Sequence, residues 1–466
     1  MTDAKKRMPM NNVDAAWYHM EDPTNLMMVV GVMYFKQPLT LDRLRDVVRK
    51  RLLPFDRFRQ RVVTTPGMPG CFWEEDPFFD LDYHVVREEL SGDGGYLALQ
   101  ERAGGLMSES LDFTRPLWQA HLIENCDEGC AVMLRIHHCI ADGIALIGVL
   151  LSLTANSAAE SLDLPPLPND AKSPGHDHPG QLFRFAENAI ANAGKATAKL
   201  FDTLGKPTKI LEMAKLGTQG AFTAAKLVMK GVDPPTLFKG DLGRKKIATW
   251  SQAIPLADVK RIKNVTKSTV NDVLLTAMSG GLRRYLEAKD QGTKGLSFRA
   301  TVPVNLRDPS RFRELGNKFG LVFLDLPVGI EDPLDRLFAL KKNMDNIKNS
   351  PEALVAFGIL KAVGMTPAEI QKLIVNVFGK KSTAVMTNVP GPREPLFLGG
   401  VQLDHMMFWV PRSGRLGLGI SILSYAGDVR LGVATDAGLV PDPNLIIQGF
   451  HQELDELLEL ARQVNK

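Results

Sequence analysis

Apolar positions recur along this chain with two different spacings, which together predict alternating strands and helices. Short apolar runs bounded by polar residues and glycines predict strands at 27–35, 117–123 and 131–138. The polar, glycine-containing sequence at 126–129 lies between the last two runs and predicts a hairpin turn. Apolar residues at helical spacing predict a helix at 41–53. The first third of the chain therefore predicts a sheet of mixed strand order with helices.

The second half of the chain has the same style of pattern without an obvious sequence repeat. Its best helical signal is at 270–286, where Leu274, Met278, Leu282 and Leu286 recur every four residues. The pattern also predicts a final helix at about 443–463. Between the helices it predicts strands at 298–304, 321–326, 383–388, 417–423 and 429–435.

The composition changes between the two halves. Residues 155–180 are rich in proline, serine, aspartate and histidine, which predicts an exposed linker. Residues 181–231 are rich in alanine and lysine at helical spacing. One interpretation is a helix that lies on an anionic lipid surface, and the other is a bridge between domains whose lysines keep it soluble. The predicted organisation is an N-terminal domain at 1–170, a linker and helical bridge at 171–240, and a C-terminal domain at 241–466.

Composition and charge narrow the classes of function. A chain of 466 residues with 44% hydrophobic content can bury two cores. Its formal net charge is only +3 and its basic residues are spread out, so nothing indicates a nucleic-acid-binding surface. The four cysteines lack both metal-ligand spacing and the density of a secreted scaffold, which favours a reducing cytoplasm. Because the sequence has neither a signal-peptide pattern nor a membrane-spanning apolar run, we expect a cytoplasmic protein that does not cross a membrane.

Residues 137–143, His-His-Cys-Ile-Ala-Asp-Gly, lie where a predicted strand gives way to a helix, and this is the stretch that indicates a reaction. Side chains alternate along a strand, so only one of His137 and His138 can enter a given pocket. A neutral imidazole can take a proton from an alcohol or thiol near pH 7, and His138 is the candidate base. Asp142 is expected to hold the imidazole or the turn by hydrogen bonds, and Gly143 to allow a sharp backbone bend.

The residues of this stretch have other interpretations that stay open. The histidines can be packed polar structure at a strand end, with Asp142 capping the following helix. Two histidines and an aspartate are also zinc ligands in other proteins, but adjacent strand histidines diverge, so we predict no metal site. Cys139 lies inside the motif, and a thiol there is more often packing than a nucleophile unless its pKa is lowered. Arg307 is a candidate to pair with an acid such as Asp142 across a domain interface.

Three elements outside this motif have clear structural interpretations. The sequence from Thr269 to Asp272 has the form of a helix start, with Thr269 as the N-cap and an acid in the first turn. Trp118 supplies a large apolar surface at a strand start. Proline and glycine at 388–392 predict a rigid loop.

The chain is similar here to the His-His-x-x-x-Asp-Gly acyltransferases, and among them it resembles the bacterial wax ester synthase/diacylglycerol acyltransferase family. The seven-residue motif alone is shared with chloramphenicol acetyltransferase-like enzymes, condensation domains of peptide synthesis and plant acyltransferases. The Asp-Phe-Gly-Trp-Gly element of the plant enzymes is absent, which argues against that branch. Further elements in the expected order extend the resemblance over nearly the whole chain: Val13-Asp14-Ala15-Ala16-Trp17, Met20-Glu21-Asp22-Pro23-Thr24-Asn25, Arg115-Pro116-Leu117-Trp118, Asn271-Asp272 and Asn388-Val389-Pro390-Gly391-Pro392.

The resemblance implies an α/β fold with mixed sheets, in which two chloramphenicol acetyltransferase-like domains are joined by the helical linker and enclose an active-site channel. It implies transfer of a long-chain acyl group from acyl-CoA to a fatty alcohol or a diacylglycerol. His138 would deprotonate the hydroxyl, which attacks the thioester directly, with no bound cofactor and acyl-CoA as co-substrate. The protein would act in the cytoplasm, at a membrane surface or at lipid inclusions.

The resemblance also assigns roles to individual residues. It implies that Asn271 either donates a hydrogen bond to the tetrahedral oxyanion or positions an acyl group. The other catalytic residues it implies are His137, His138, Asp142 and Gly143, and the substrate contacts it implies are Asp272, Trp118, Asn388, Pro390 and Gly391. Two alternatives stay open, an acyltransferase with an amine or polyketide alcohol as acceptor and a non-catalytic scaffold at a lipid surface. The sequence does not predict an oligomeric state.

Overall fold

The computed structural model describes residues 7–65, 68–92, 94–167, 229–307, 315–348, 350, 352–363, 366, 368–412 and 414–464. The predicted linker and the lysine-rich segment fall almost wholly within 168–228 and so lie outside the described residues. The two interpretations of that segment, a lipid-surface helix and a bridge between domains, therefore stay predictions. Within the described ranges, no helix combines the length and the apolar character needed to cross a bilayer.

The described residues form α-helices and β-strands largely where the apolar spacing predicts them. The helices are α1 Asn12–His19, α2 Leu41–Val47, α3 Leu81–His84, α4 Gly95–Ser108, α5 Gly143–Ser152, α6 Ala158–Leu162, α7 Leu256–Thr266, α8 Val270–Ala288, α9 Pro333–Lys348, α10 Glu352–Val363, α11 Ala368–Gly379 and α12 Asn444–Gln463. The strands are β1 Met8–Pro9, β2 Met28–Phe35, β3 Gln60–Thr65, β4 Met68–Glu75, β5 Val85–Glu89, β6 Trp118–Cys126, β7 Gly129–His137, β8 Lys246–Trp250, β9 Ile254–Pro255, β10 Phe298–Asn305, β11 Phe319–Leu326, β12 Ala384–Pro390, β13 Phe397–Leu398, β14 Val401–Gln402, β15 His405–Trp409, β16 Leu418–Tyr425 and β17 Asp428–Asp436.

The first sheet has five strands in the order β15-β2-β7-β6-β5. Strands β6 and β7 form the predicted hairpin, and β5 lies parallel to β6. Strand β2 pairs antiparallel with β7 and places Met28 opposite His137. Because β7 is buried along nearly its whole length, the hairpin delivers the 137–143 motif from a rigid support.

The second sheet has the order β11-β10-β12-β16-β17-β8, with β9 also paired to β17. Strand β12 is parallel to β10 and to β16, and the other pairs are antiparallel, so the strand order is mixed as predicted. Helices α8 and α12 pack closely on each other. A Cβ atom at Gly281 would lie only 2.9 Å from the backbone nitrogen of Phe450, so this crossing requires a glycine.

Strand β15 crosses from the second half of the chain into the first sheet. It pairs with β2, with Trp409 opposite Val30 and His405 opposite Tyr34. The apolar core around the first sheet accordingly includes Leu403, Met407 and Trp409. The predicted domain boundaries stay a prediction. A single division of the chain does not separate the two sheets, because β15 belongs to the first sheet although its residues lie between strands of the second half in the sequence.

Candidate active site

The 137–143 motif lies at the carboxyl end of β7, at the turn into α5. The backbone nitrogen of His138 donates to the carbonyl of Met27 at 2.7 Å, which extends the pairing with the neighbouring strand by one residue. Helix α5 then begins at Gly143, with Asp142 as its N-cap. The motif is therefore held between a buried strand and a capped helix, as its sequence position indicates.

The His138 ring is enclosed by two aromatic side chains. It stacks on Trp17 of α1 with ring centres 4.1 Å apart and an angle of 25° between the planes. Phe319 of β11 lies on another side, with ring centres 5.7 Å apart. Only 4% of His138 is exposed, and its Nδ1 atom is buried without a well-formed hydrogen bond. The ring itself is nearly covered. The open channel that was predicted to reach it therefore stays a prediction.

Burial determines the protonation state of His138. Loss of hydration lowers the pKa of His138 to about 4, and the Asp142 carboxylate opposes this only in part. The Asn317 side chain is also close enough to act on the His138 ring through a hydrogen bond, and its Oδ1 atom is buried with no other partner. The imidazole is therefore neutral at pH 7, which is the form that can accept a proton.

Residues from three elements hold the backbone of the motif by hydrogen bonds. Asn317 Nδ2 donates to the carbonyl of His138 and to Asp14 Oδ1, at 2.8 Å in both cases. The Asp14 carboxylate is fully buried on α1 and pairs with Arg57 at 2.7 Å. Arg57 Nη1 donates in turn to the carbonyl of Ile140 at 2.6 Å. The position of the His138 ring is thus fixed through its own backbone as well as by stacking.

Asp142 binds the second half of the chain rather than the imidazole. Its Oδ2 atom accepts from Arg307 Nη2 at 2.9 Å and from the Lys318 backbone nitrogen at 2.8 Å, and its Oδ1 caps α5 by accepting from Ala145 at 2.8 Å. Both side chains of the Asp142–Arg307 pair are almost fully buried. The predicted pairing of Arg307 with Asp142 and the predicted helix cap are both confirmed. The role of Asp142 is therefore to hold the turn, one of its two predicted alternatives.

His137 faces away from His138 and has a structural role. Its Nδ1 atom accepts from the Cys139 backbone nitrogen at 3.1 Å, so in the neutral ring the proton lies on Nε2. Nε2 lies 3.5 Å from Glu21 Oε2. Because the ring is fully buried and both ends are directed at the protein, His137 stabilises the turn, and the catalytic role implied by the resemblance is not supported by its position.

Two other residues of the motif are Gly143 and Cys139. Gly143 differs from its prediction, whereas Cys139 is packed in the interior, the role that the sequence favours for it. Gly143 does not have a positive φ, and a Cβ atom there would meet only Val410 Cγ1 at 4.0 Å. The prediction that Gly143 is needed for a sharp bend is therefore wrong, since α5 starts there with ordinary backbone geometry. Cys139 is fully buried, and burial raises the pKa of its thiol well above the usual value, so it is packing.

The structure joins two sequence elements that lie far apart along the chain. Asn388 Nδ2 donates to Asn271 Oδ1 at 2.7 Å, which leaves the Nδ2 group of Asn271 as a donor. Asn388 and Pro390 lie in β12, so the rigid loop predicted at 388–392 is wrong for its first three residues, which pair with β16. Pro390 is exposed, and a Cβ atom at Gly391, directly after the strand, would lie 2.2 Å from the Ser424 carbonyl oxygen. None of the hydrogen bonds among the described residues links this asparagine pair to the His138 ring, so its role toward an oxyanion stays a prediction.

Two implied substrate contacts are structural instead. Asp272 is buried, and its Oδ2 accepts from the Thr269 backbone nitrogen at 2.9 Å in the predicted capping box of α8. Trp118 has no exposed surface, and its Nε1 donates to the Phe58 carbonyl at 2.8 Å while its ring stacks on His84. Neither side chain has a free surface to offer a substrate, which corrects the assignment of Asp272 and Trp118 to substrate binding.

Sequence patterns missed the residues that position His138. Trp17 and Asp14 belong to the opening segment that carries the family resemblance, and this was the only signal they gave. Asn317 and Arg57 had no signal, because their contacts depend on the packing of β11 and α1 against the motif. The described ranges contain no cluster of three or more His, Cys, Asp or Glu side chains that could hold a metal ion.

Comparison with known proteins gives consistent results over the whole chain. A sequence model of the wax ester synthase/diacylglycerol acyltransferase catalytic domain matches residues 10–274, and the model of the C-terminal domain of the same family matches residues 315–458. A relative from Mycobacterium tuberculosis, named probable diacylglycerol O-acyltransferase tgs1, is 28% identical over 428 residues, which cover 89% of this chain and 87% of the relative.

Two solved structures share the fold. The wax ester synthase/diacylglycerol acyltransferase from Marinobacter aquaeolei VT8 superposes with a TM-score of 0.70 at 22% identity, covering 97% of this chain and 99% of that one. The first condensation domain of the calcium-dependent antibiotic synthetase superposes with a TM-score of 0.62 at 14% identity, covering 98% and 97%. These likenesses bear out the predicted two-domain fold with mixed sheets.

Proposed function

Because the chain belongs to the wax ester synthase/diacylglycerol acyltransferase family, we propose that this acyltransferase moves a long-chain acyl group from acyl-CoA to the hydroxyl of a diacylglycerol or a fatty alcohol, with His138 as general base. The observation that carries the proposal is the position of His138 at the end of β7, where its ring stacks on Trp17 and its backbone carbonyl accepts from Asn317, while burial lowers its pKa to about 4 and keeps the ring neutral. The name of the mycobacterial relative favours a diacylglycerol as acceptor.

The proposed reaction has two steps, in which His138 carries one proton. Nε2, the ring nitrogen opposite the buried Nδ1, takes the hydroxyl proton while the oxygen attacks the thioester carbonyl carbon. The tetrahedral intermediate then expels CoA as its carbon–sulfur bond breaks, and the sulfur takes the proton back from Nε2. The products are an ester and CoA with a free thiol. The thioester is already activated, so the proposed chemistry uses acyl-CoA as co-substrate and needs no bound cofactor.

The surroundings of His138 suit a base that is transiently charged. We propose that Nδ1 carries the ring proton, because Nδ1 is buried and the nearby Asn317 Oδ1 is a buried acceptor without a hydrogen-bond partner, and this leaves Nε2 unprotonated. The stacked Trp17 ring favours the imidazolium over the neutral ring through its π face. Asp142 acts in the same direction at longer range, because its carboxylate raises the pKa of His138. We propose Asn271 Nδ2 as a donor to the oxyanion, since Asn388 occupies only its Oδ1.

The choice of acceptor is tested with purified protein and palmitoyl-CoA. Release of CoA is measured with dioleoylglycerol, hexadecanol, hexadecylamine or water as the acceptor, and the lipid product is identified by mass spectrometry. We expect ester formation with diacylglycerol, with hexadecanol or with both, above the rate with water. Formation of amide alone would show that the acceptor is an amine and not an alcohol. If the folded protein transfers the acyl group to none of the acceptors, the proposed function is contradicted.

The pH dependence of the rate tests the protonation state of His138. Since burial lowers the pKa of His138 to about 4 from the usual 6.5, the base is active above about pH 5 and is lost only as the pH falls toward 4. We expect kcat/KM to stay level from pH 8 to about 5.5. A midpoint near 6.5 would contradict this expectation.

Loss of folding must be separated from loss of the base in this experiment. A histidine whose pKa is lowered by folding binds more protons in the unfolded chain, so its contribution to stability is complete above pH 6.5 and declines as the pH falls toward 4. Circular dichroism recorded in the same buffers identifies the pH range in which the protein is folded, and rates are compared only within that range.

A further inference from the structure

A small cavity lies between the two sheets, next to the motif. Its volume is about 20 Å³, which is room for one or two groups of the size of water. The first sheet contributes side chains from β2 and β15, and the second contributes side chains from β8 and β17. The residues that line it are Leu26, Met28, Val30, Met107, Lys246, Trp409, Val410, Pro411, Arg412 and Ala434.

Two cations, Lys246 and Arg412, line this cavity, and they differ in their ion pairing. Lys246 Nζ pairs with Asp436 Oδ2 at 2.6 Å and donates to the Gly243 carbonyl at 2.8 Å. Arg412 is only 6% exposed, and the one hydrogen bond that its guanidinium makes within the described part of the chain is from Nη1 to the Gly417 carbonyl at 3.4 Å. Asp436 acts on Arg412 electrostatically but lies beyond ion-pair distance. Lys246 therefore has an ion-pair partner, whereas Arg412 has no carboxylate within ion-pair distance in the described part of the chain.

The Arg412 side chain is held in place although it lacks an anionic partner. The backbone carbonyl of Arg412 accepts a hydrogen bond from the Asn25 side chain, and its aliphatic stem packs over Gly419, where a Cβ atom would lie 3.3 Å from Arg412 Cδ. Burial lowers the pKa of Arg412 to about 10, so the group is charged at pH 7. Burying a charge without a partner is costly, and proteins usually compensate such a charge with an anion.

We propose that this cavity binds one carboxylate group, which pairs with Arg412 and is supplied by a free fatty acid or by a small organic acid. The single charge of Arg412, which has no ion-pair partner in the described part of the chain, matches a monovalent anion. The planar guanidinium fork matches the two oxygens of a carboxylate, and a cavity with room for one or two groups of the size of water takes the carboxylate itself, so the rest of the acid would extend beyond it. Apolar side chains such as Met28 and Met107 suit an alkyl carbon beside the carboxylate, and methionine adapts its shape readily.

This site is distinct from the proposed reaction centre, although the two are close. Val410 lines the cavity and also faces Gly143 at the start of α5. Met28 lines the cavity and is paired with His137 across β2 and β7. The proposal does not rest on acyl transfer, because binding is measured without any substrate, so its failure and the failure of the proposed function are independent results.

The test is isothermal titration calorimetry on the full-length protein with sodium acetate and with sodium decanoate below its micelle concentration. Sodium chloride at the same ionic strength is the reference. We expect one carboxylate per chain in the wild-type protein and binding at least about tenfold weaker in Arg412→Met, because a bidentate charge-assisted pair is lost. Binding of both acids identifies a small organic acid as sufficient, and binding of decanoate alone identifies a fatty acid.

Two further variants make the result decisive. Arg415→Gln is the matched control, since Arg415 lies on the same loop but its side chain is 66% exposed, and we expect it to bind as the wild type does. Arg412→Lys keeps the charge without the fork, so it tests the pairing even if Arg412→Met does not fold, and we expect several-fold weaker binding. Binding no better than that of chloride, or equal binding by the wild type and Arg412→Lys, would overturn the proposal.

Discussion

Replacing His138 by alanine is expected to lower kcat/KM for acyl transfer by a factor of about one hundred to ten thousand, the usual range for loss of a general base. His137 and Asp142 are engaged in holding the turn, so His138 is the proton acceptor of the motif that remains available. Its neutral ring lies between Trp17 and Phe319. Initial rates of CoA release with palmitoyl-CoA and the best acceptor give the measurement.

His84 offers a matched control for the loss of a buried ring. It is fully buried, burial lowers the pKa of His84 to about 4, and it stacks on Trp118 with ring centres 4.6 Å apart. His84→Ala removes the same side chain from a similar environment outside the motif, so we expect lower stability with kcat/KM per folded molecule close to wild type. Equal losses of rate in His84→Ala and His138→Ala, after correction for folded protein, would show that His138 is not the base.

Replacing Arg307 by methionine is expected to destabilise the fold by about 3–5 kcal/mol, because it leaves the buried Asp142 carboxylate without its charged partner. The rate of acyl transfer should fall as well, since Arg307 also donates to the Gly316 carbonyl at 2.7 Å and so holds the segment that carries Asn317. Denaturant unfolding gives the free energy of unfolding, and kinetics on the folded protein give the second effect.

The double variant Asp142→Asn, Arg307→Met separates charge from packing. It removes the buried charge together with its partner, so we expect it to recover a large part of the lost stability relative to Arg307→Met. Arg415→Met breaks an exposed ion pair with Asp241 and should change the free energy of unfolding by less than about 1 kcal/mol. If Arg307→Met is no more destabilising than Arg415→Met, the buried pair does not hold the two halves together.

The sequence predicted the parts of this site that depend on neighbours along the chain. The hairpin, the strand-to-helix junction and the caps at Asp142 and Thr269 are local features with local signals, and all of them are formed. The Arg307–Asp142 pair is also formed, although the sequence offered it only as a candidate pairing and did not establish the partner. The fold class followed from the mixture of periods together with the resemblance.

The remaining features depend on contacts that no local pattern encodes. The contact of Trp17 with His138 joins α1 to the motif, and Asn317 reaches the same turn from the second half of the chain. The family resemblance implied that Trp118 contacts the substrate, because Trp118 belongs to a sequence element of that family. In this chain its ring packs on Phe58 and His84. The pairing of β15 with β2 also could not be predicted, because a strand of one histidine and four apolar residues carries no information about which sheet it joins.

The crossing of β15 has a consequence for how the protein is made on the ribosome. Until Trp409 has left the exit tunnel, the nascent chain exposes the unpaired edge of β2, although the rest of that sheet has long been synthesised. An open, apolar strand edge can pair with other chains during this interval. We therefore expect truncations that end before β15 to aggregate during expression.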